Sequence, residues 1–172
     1  MQPIYLDYNA TTPTDPAVVE ELLPYLAEVF GNPSSSHPYG KKAMEAVVLA
    51  RTRVAALLGC DSAQVIFTSG GTESNNQALI GAAFANMDRG KHVISTTIEH
   101  PAVLNTVRWL EGQGFTATYL PVDGAGLIDP QTVRRAITGE TILISVMHAN
   151  NEVGTIQPLA EIGAIAREKG II

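Results

Sequence analysis

The residues Thr68, Ser69, Gly70, Gly71, Thr72, Glu73, Ser74, Asn75 and Asn76 are the stretch of this sequence best suited to hold a ligand. They follow a short apolar run, Val65, Ile66 and Phe67, and precede a helical spacing of apolar residues, Ala78, Leu79, Ala82 and Ala83. A strand, a glycine turn and a helix start aim successive backbone N–H groups at one point, where the positive end of the helix dipole also lies. Ser69, Thr72 and Ser74 add hydroxyls. Such a corner binds phosphate. A Gly-Gly pair in this setting also serves as a plain tight connection, with Thr72 or Ser69 as N-cap, and both readings stand on these residues alone. No Lys-Ser or Lys-Thr follows the glycines, and the spacing is not G-x-G-x-x-G. A mononucleotide or a phosphorylated cofactor is the ligand this pattern favours.

Two further polar loops follow apolar runs. Thr97-Ile98-Glu99-His100-Pro101 contains an imidazole just before a proline-initiated helix. There it stacks on a flat ligand or moves protons near neutral pH, or else it caps the helix. His148-Ala149-Asn150-Asn151-Glu152-Val153-Gly154 offers amides that hydrogen-bond a ligand oxygen or shape a turn. His37 in a loop and His92 at a strand start read as structural, and His148 as a packed histidine. Asp and Glu are too dispersed to make a metal cluster.

These loops need elements to position them. Residues 1–14 read as an extended arm. Asp15-Pro16 starts a helix running to about Phe30, kinked at Pro24, and a loop at 31–38 leads to a second helix from about Tyr39 to Leu58. Ala43, Val47, Ala50, Val54 and Leu57 mark the apolar face of that second helix. The chain then alternates. Strands are expected at Val65–Thr68, His92–Thr96, Thr116–Leu120 and Thr141–His148. Helices are expected at Ser74–Met87, Pro101–Glu111, Pro130–Ile137 and Pro158–Lys169. Ile171-Ile172, after the helix stop at Lys169-Gly170, reads as the start of another strand. Such alternation specifies a three-layer α/β fold with a mostly parallel sheet. In open sheets of this kind, ligands sit at the carboxyl ends of the strands, so the three polar loops are expected to share one edge. An incomplete last strand suits the first part of a longer protein, or one piece of a split one.

Composition narrows the partners. Of 172 residues, 45% are hydrophobic and only 16% charged, so part of the surface is expected to be apolar or covered. A net charge of −6 with no basic face argues against nucleic acid. Cys60 is the single cysteine, which excludes an internal disulfide, and it reads as a helix-end residue near the core. The N-terminus resembles no signal peptide and no membrane span is visible, so a cytoplasmic location is expected.

Several motifs occur in order: Tyr5-Leu6-Asp7-Tyr8-Asn9-Ala10-Thr11-Thr12-Pro13, Gly31-Asn32-Pro33-Ser34-Ser35, Thr68 to Asn75, Glu99-His100, and Asn150-Asn151-Glu152-Val153-Gly154. In this the chain resembles the N-terminal part of a cysteine desulfurase, in the class V aminotransferase family of pyridoxal-phosphate enzymes. The resemblance runs from residue 4 to the last residue. It implies the large domain of a fold-type I pyridoxal-phosphate transferase over residues 15–172, incomplete at its C-terminus, with residues 1–14 reaching toward an active site. It implies that Gly71 and Thr72 bind the cofactor phosphate, that His100 stacks on the pyridine ring and assists proton transfer, and that Asn151 contacts cofactor or substrate. It also implies L-cysteine as substrate, L-alanine and an enzyme persulfide as products, and a homodimer. A sulfur acceptor or iron–sulfur scaffold protein would be the partner.

The family's Schiff-base lysine and catalytic cysteine lie beyond the matched region. Lys41, Lys42, Lys91 and Lys169 stand at no such position, and Cys60 matches no catalytic cysteine. The chain by itself is therefore expected to be inactive. Selenocysteine lyases share these motifs. A truncated, non-catalytic partner module and a simple phosphate-ligand binder are the readings from other classes.

Overall fold

A computed structural model describes residues 3–172. The chain divides into two units, Met1–Phe67 and Thr68–Ile172.

In the first unit, residues 3–15 form no helix or strand. The Tyr5 hydroxyl donates to the carbonyls of Asp7 (2.8 Å) and Thr11 (3.2 Å) across a turn. Asp15 then caps α1 (Pro16–Ala27) by accepting the Ala17 N–H at 2.8 Å, with Pro16 opening the helix. The helix stops short of Phe30. A loop containing Gly31 follows, and a Cβ on Gly31 would collide with the Tyr39 carbonyl. His37 Nδ1 accepts the Gly40 N–H and caps α2 (Pro38–Leu58), which Gly59 ends in the left-handed region at φ 66°. Beyond that turn Cys60 lies exposed, not near the core as its apolar neighbours suggested, because the reversal at Gly59 carries the chain off the helix. The apolar spacing of α2 only partly becomes burial. Ala43 is buried and Val47 and Val54 are half-buried, but Ala50 and Leu57 are exposed. No residue of α1 is buried.

The expected strand at Val65–Thr68 does not form. Its residues have no ladder partner among the described residues. Instead the Arg51 guanidinium on α2 hydrogen-bonds the Val65 carbonyl and stands 5.0 Å over the Phe67 ring. An apolar run becomes a strand only where a neighbour accepts its N–H and C=O groups.

The second unit carries α3 (Gly71–Ala85), β1 (His92–Thr96), α4 (Pro101–Gly112), β2 (Thr116–Leu120), α5 (Pro130–Ala136), β3 (Thr141–Ile144) and α6 (Leu159–Lys169). The sheet is parallel, in the order β2-β1-β3, with His92 opposite both Thr116 and Thr141. Every residue of the central strand β1 is buried. One core packs Val93 with Leu79 and Ala83 of α3 and Val103, Val107 and Leu110 of α4. The other packs Ile94 with Val133 of α5 and Ile162 of α6. Helices thus cover both faces, giving the three expected layers.

β3 is shorter than the expected Thr141–His148. Ser145 still donates to Ile94 O at 2.8 Å, but Gln157 N donates to His148 O, and Ala149 and Ile156 form an antiparallel bridge. The chain folds back on itself there, and His148 is left exposed rather than packed. At the far end, Ile172 O accepts from Ile144 N (2.8 Å) and Ile172 N donates to Ile142 O (3.2 Å), as expected of a strand starting beside β3. Among the described residues no helix is long and apolar enough to cross a membrane.

Candidate functional site

The glycine turn is itself the first turn of α3, which begins at Gly71 rather than at the expected Ser74. Gly70 occupies the N-cap and supplies no side-chain cap. The first intrahelical bond runs from Ser74 N to Gly70 O at 3.1 Å, so the amides of Gly71, Thr72 and Glu73 have no intrahelical acceptor. A Cβ built on Gly70 or Gly71 would meet nothing within 4 Å, so the two glycines are not crowded on that side. Unpaired amides at a helix start suit an anion, and the helix dipole favours it.

The three hydroxyls that the sequence offers to this corner do not act alike. Ser69 donates from both N (2.7 Å) and Oγ (2.6 Å) to Glu73 Oε2. The Ser69 hydroxyl, then its backbone N–H, hold the Glu73 carboxyl below the usual carboxylate range. Ser74 Oγ is 2.7 Å from Thr68 Oγ1, which also donates to Gly70 O. Of these three residues Thr72 alone lines a cavity of about 400 Å³, together with Asn76 from α3 and His100, Asn105, Thr106 and Trp109 from α4 and its cap. Asn76 Nδ2 donates to Thr72 O (2.8 Å), and Thr106 Oγ1 donates to Asn76 Oδ1 (2.9 Å), which ties the two helix starts together.

His100 is both a cap and a cavity residue. Its Nδ1 accepts the Ala102 N–H at 3.0 Å and opens α4. With Nδ1 used as an acceptor, the ring proton of the neutral imidazole sits on Nε2. The free edge of the ring is thus an N–H donor.

The third loop meets the second through Asn150. Its Nδ2 donates to Ile98 O (3.2 Å), while its Oδ1 accepts from Glu152 N (2.9 Å) and Val153 N (3.0 Å). Asn150 is buried and shapes the turn. Asn151 is exposed, with Nδ2 donating to Glu152 Oε1 at 2.8 Å. The structure therefore brings Thr72 and His100 to one cavity and joins the Asn150-Asn151 loop to the His100 loop. Asn151 does not line that cavity. Sequence reasoning gave no structural part to Glu99, which is buried and accepts from Thr96 Oγ1 and Met147 N. A carboxylate beside a histidine carries no local sign that it points inward; its partners are Thr96 at the end of β1 and Met147 on the segment after β3.

Residues 4–172 match the aminotransferase class-V family. The chain belongs to this family. Among its relatives, the cysteine desulfurase IscS of Methanosarcina thermophila is 56% identical over 168 residues, which is 98% of this chain and 42% of that protein. The solved structure of SspA in complex with cysteine superposes with a TM-score of 0.92 at 43% identity, over 97% of this chain and 48% of that one. A NifS-like protein gives a TM-score of 0.93 at 40% identity, over 98% and 46%. The chain thus spans less than half the length of these relatives. The family is generally pyridoxal-phosphate-dependent.

Proposed function

We propose that this chain is the N-terminal part of a pyridoxal-phosphate-dependent cysteine desulfurase. The observation that carries the proposal is the uncapped start of α3 with Thr72 and His100 lining one cavity. The residues present fit the cofactor. The unpaired amides after Gly70 and the Thr72 hydroxyl suit a phosphate dianion, and an imidazole on the same cavity suits a flat aromatic ring. Bound there, pyridoxal phosphate supplies an electron sink for charge developing at the substrate α-carbon.

The chain's own contribution is positional and acid–base. Gly71 and Thr72 hold the phosphate through backbone N–H and hydroxyl. His100 is fixed by its cap bond through Nδ1, stacks against the ring, and moves a proton at Nε2. Asn151, exposed on the loop that is joined to the His100 loop, contacts cofactor or substrate near the reacting centre. The substrate in this reading is L-cysteine. The products are L-alanine and a persulfide on a cysteine that this chain does not contain, destined for an iron–sulfur scaffold or another sulfur acceptor. A cytoplasmic homodimer is the expected form of the full-length protein.

The test is L-alanine formation from L-cysteine by the full-length protein carrying pyridoxal phosphate, beside the 172-residue chain alone. The full-length protein is expected to form alanine and the chain alone none. A full-length protein that binds the cofactor yet forms no alanine overturns the proposal. Preference for selenocysteine in direct competition moves the reading to selenocysteine lyase.

A further inference from the structure

Glu99 is 6% exposed and lies between the end of β1 and the cap of α4. A carboxylate at that depth needs hydrogen bonds. Its Oε1 accepts from Thr96 Oγ1 and from Met147 N, both at 2.8 Å. Thr96 belongs to its own strand, whereas Met147 lies on the segment after β3. One residue earlier, the Ile98 carbonyl accepts from Asn150 Nδ2, and Asn150 is 7% exposed. The two loops are therefore joined reciprocally. A buried side chain of each reaches a backbone group of the other.

The order along the chain gives this joint a meaning. Glu99 immediately precedes His100, and Asn150 immediately precedes Asn151. In each loop the inward residue is fastened and the next residue is exposed. Building on the function proposed above, we propose that Glu99 and Asn150 form a reciprocal clasp that sets His100 and Asn151 in fixed relation to each other. Both are positioning residues. Apolar packing would hold the loops together at lower desolvation cost, since burial pushes the Glu99 carboxyl up against the opposing pull of the Met147 amide and the Thr96 hydroxyl. Hydrogen bonds fix direction as well as distance, and misplacement by about 1 Å costs on the order of 10²-fold in rate.

The experiment uses the full-length protein with pyridoxal phosphate and compares Glu99→Gln, Glu99→Asp and Glu99→Ala. Glutamine keeps an acceptor oxygen in reach of Met147 N. Aspartate withdraws it by one methylene, and alanine removes it. Amide hydrogen exchange at Met147 is expected to stay slow in Glu99→Gln and to quicken by roughly tenfold or more in the other two. Those two are also expected to lose roughly ten- to a hundredfold in kcat per bound cofactor, with KM for cysteine little changed. Their bound cofactor is expected to show an altered circular dichroism band. Glu99→Gln restores all three readouts toward wild type.

A merely structural Glu99 would lower the folded fraction and leave kcat per bound cofactor and the dichroism unchanged, which overturns the proposal. Glu99→Gln behaving like Glu99→Ala overturns it too, in favour of a requirement for charge. If Glu99→Ala does not fold, Glu99→Asp against Glu99→Gln makes the same comparison. If the wild-type protein forms no alanine, the proposed function fails, and Met147 exchange in the three variants still decides whether the clasp exists.

Discussion

The two units of this chain put their apolar residues to different ends. In Thr68–Ile172, Val93, Ile94, Val107 and Leu110 are fully buried between sheet and helices. In Met1–Phe67, α1 carries Val18, Val19, Leu22, Leu23 and Leu26, and all are exposed. Both segments look like core formers by composition. The difference is that β1 has strands on both sides and helices over both faces, whereas α1 has caps but no partner that buries it among the described residues. Hydrophobicity states what a segment gains if it is covered, and the surroundings decide whether it is.

Truncation tests this contrast most strongly. Leu110→Ala removes a fully buried side chain from the α3–α4 core and is expected to cost about 2–5 kcal/mol. Leu23→Ala on α1 is expected to fall within about 0.5 kcal/mol of wild type. Urea unfolding of the 172-residue chain measures both, and equal losses would erase the distinction between the units. Next in size is the cap. Asp15→Ala is expected to cost about 1 kcal/mol, so that in α1 a polar cap outweighs any single leucine. Helicity and urea midpoint of that variant beside Leu23→Ala check the order, and a harmless Asp15→Ala would refute it.

The smallest expected effect is a titration, carried by the second unit because that is where ionisable side chains are buried. His92 Nδ1 is 2.7 Å from Thr141 Oγ1 and its Nε2 is 2.9 Å from Thr118 Oγ1, joining β1 to both neighbours. Burial holds its imidazole below the ordinary histidine value. The unfolded chain therefore takes up a proton at about pH 6.5 that the folded chain refuses. This contribution to stability is full above that pH and is lost as pH falls through the depressed folded value. Glu99 acts in the opposite sense. Its carboxyl is raised by burial, so its contribution is present at acid pH and is lost as pH rises through the folded value. The urea midpoint is expected to decline from pH 7.5 to pH 5, and His92→Gln to flatten the decline. Superimposable profiles for wild type and His92→Gln would remove histidine from the explanation.

Much of this was legible because it is local. Asp15-Pro16, Pro101 and Pro130 mark helix starts, and Lys169-Gly170 marks a stop. Each lies where the structure has it. The strands His92–Thr96 and Thr116–Leu120 were readable to the residue, since both are short runs bounded by polar or glycine-containing turns. The glycine corner also came from sequence, because the turn and the helix it opens are neighbours in the chain, although the strand expected before them does not form.

What the sequence determined by itself was therefore the order of elements, their caps and the residue types at the corner. Tertiary structure decided which of them meet. It left the run at Val65–Thr68 without a ladder. It bound Ser69 to Glu73 and Ser74 to Thr68, set Thr72 in the lining of a cavity, and turned Glu99 inward to Met147. The physical reason is reach. A cap or turn is satisfied by groups a few residues away, whereas burial and long-range hydrogen bonds depend on groups such as Thr141 beside His92, or Met147 beside Glu99, that only the folded chain brings near.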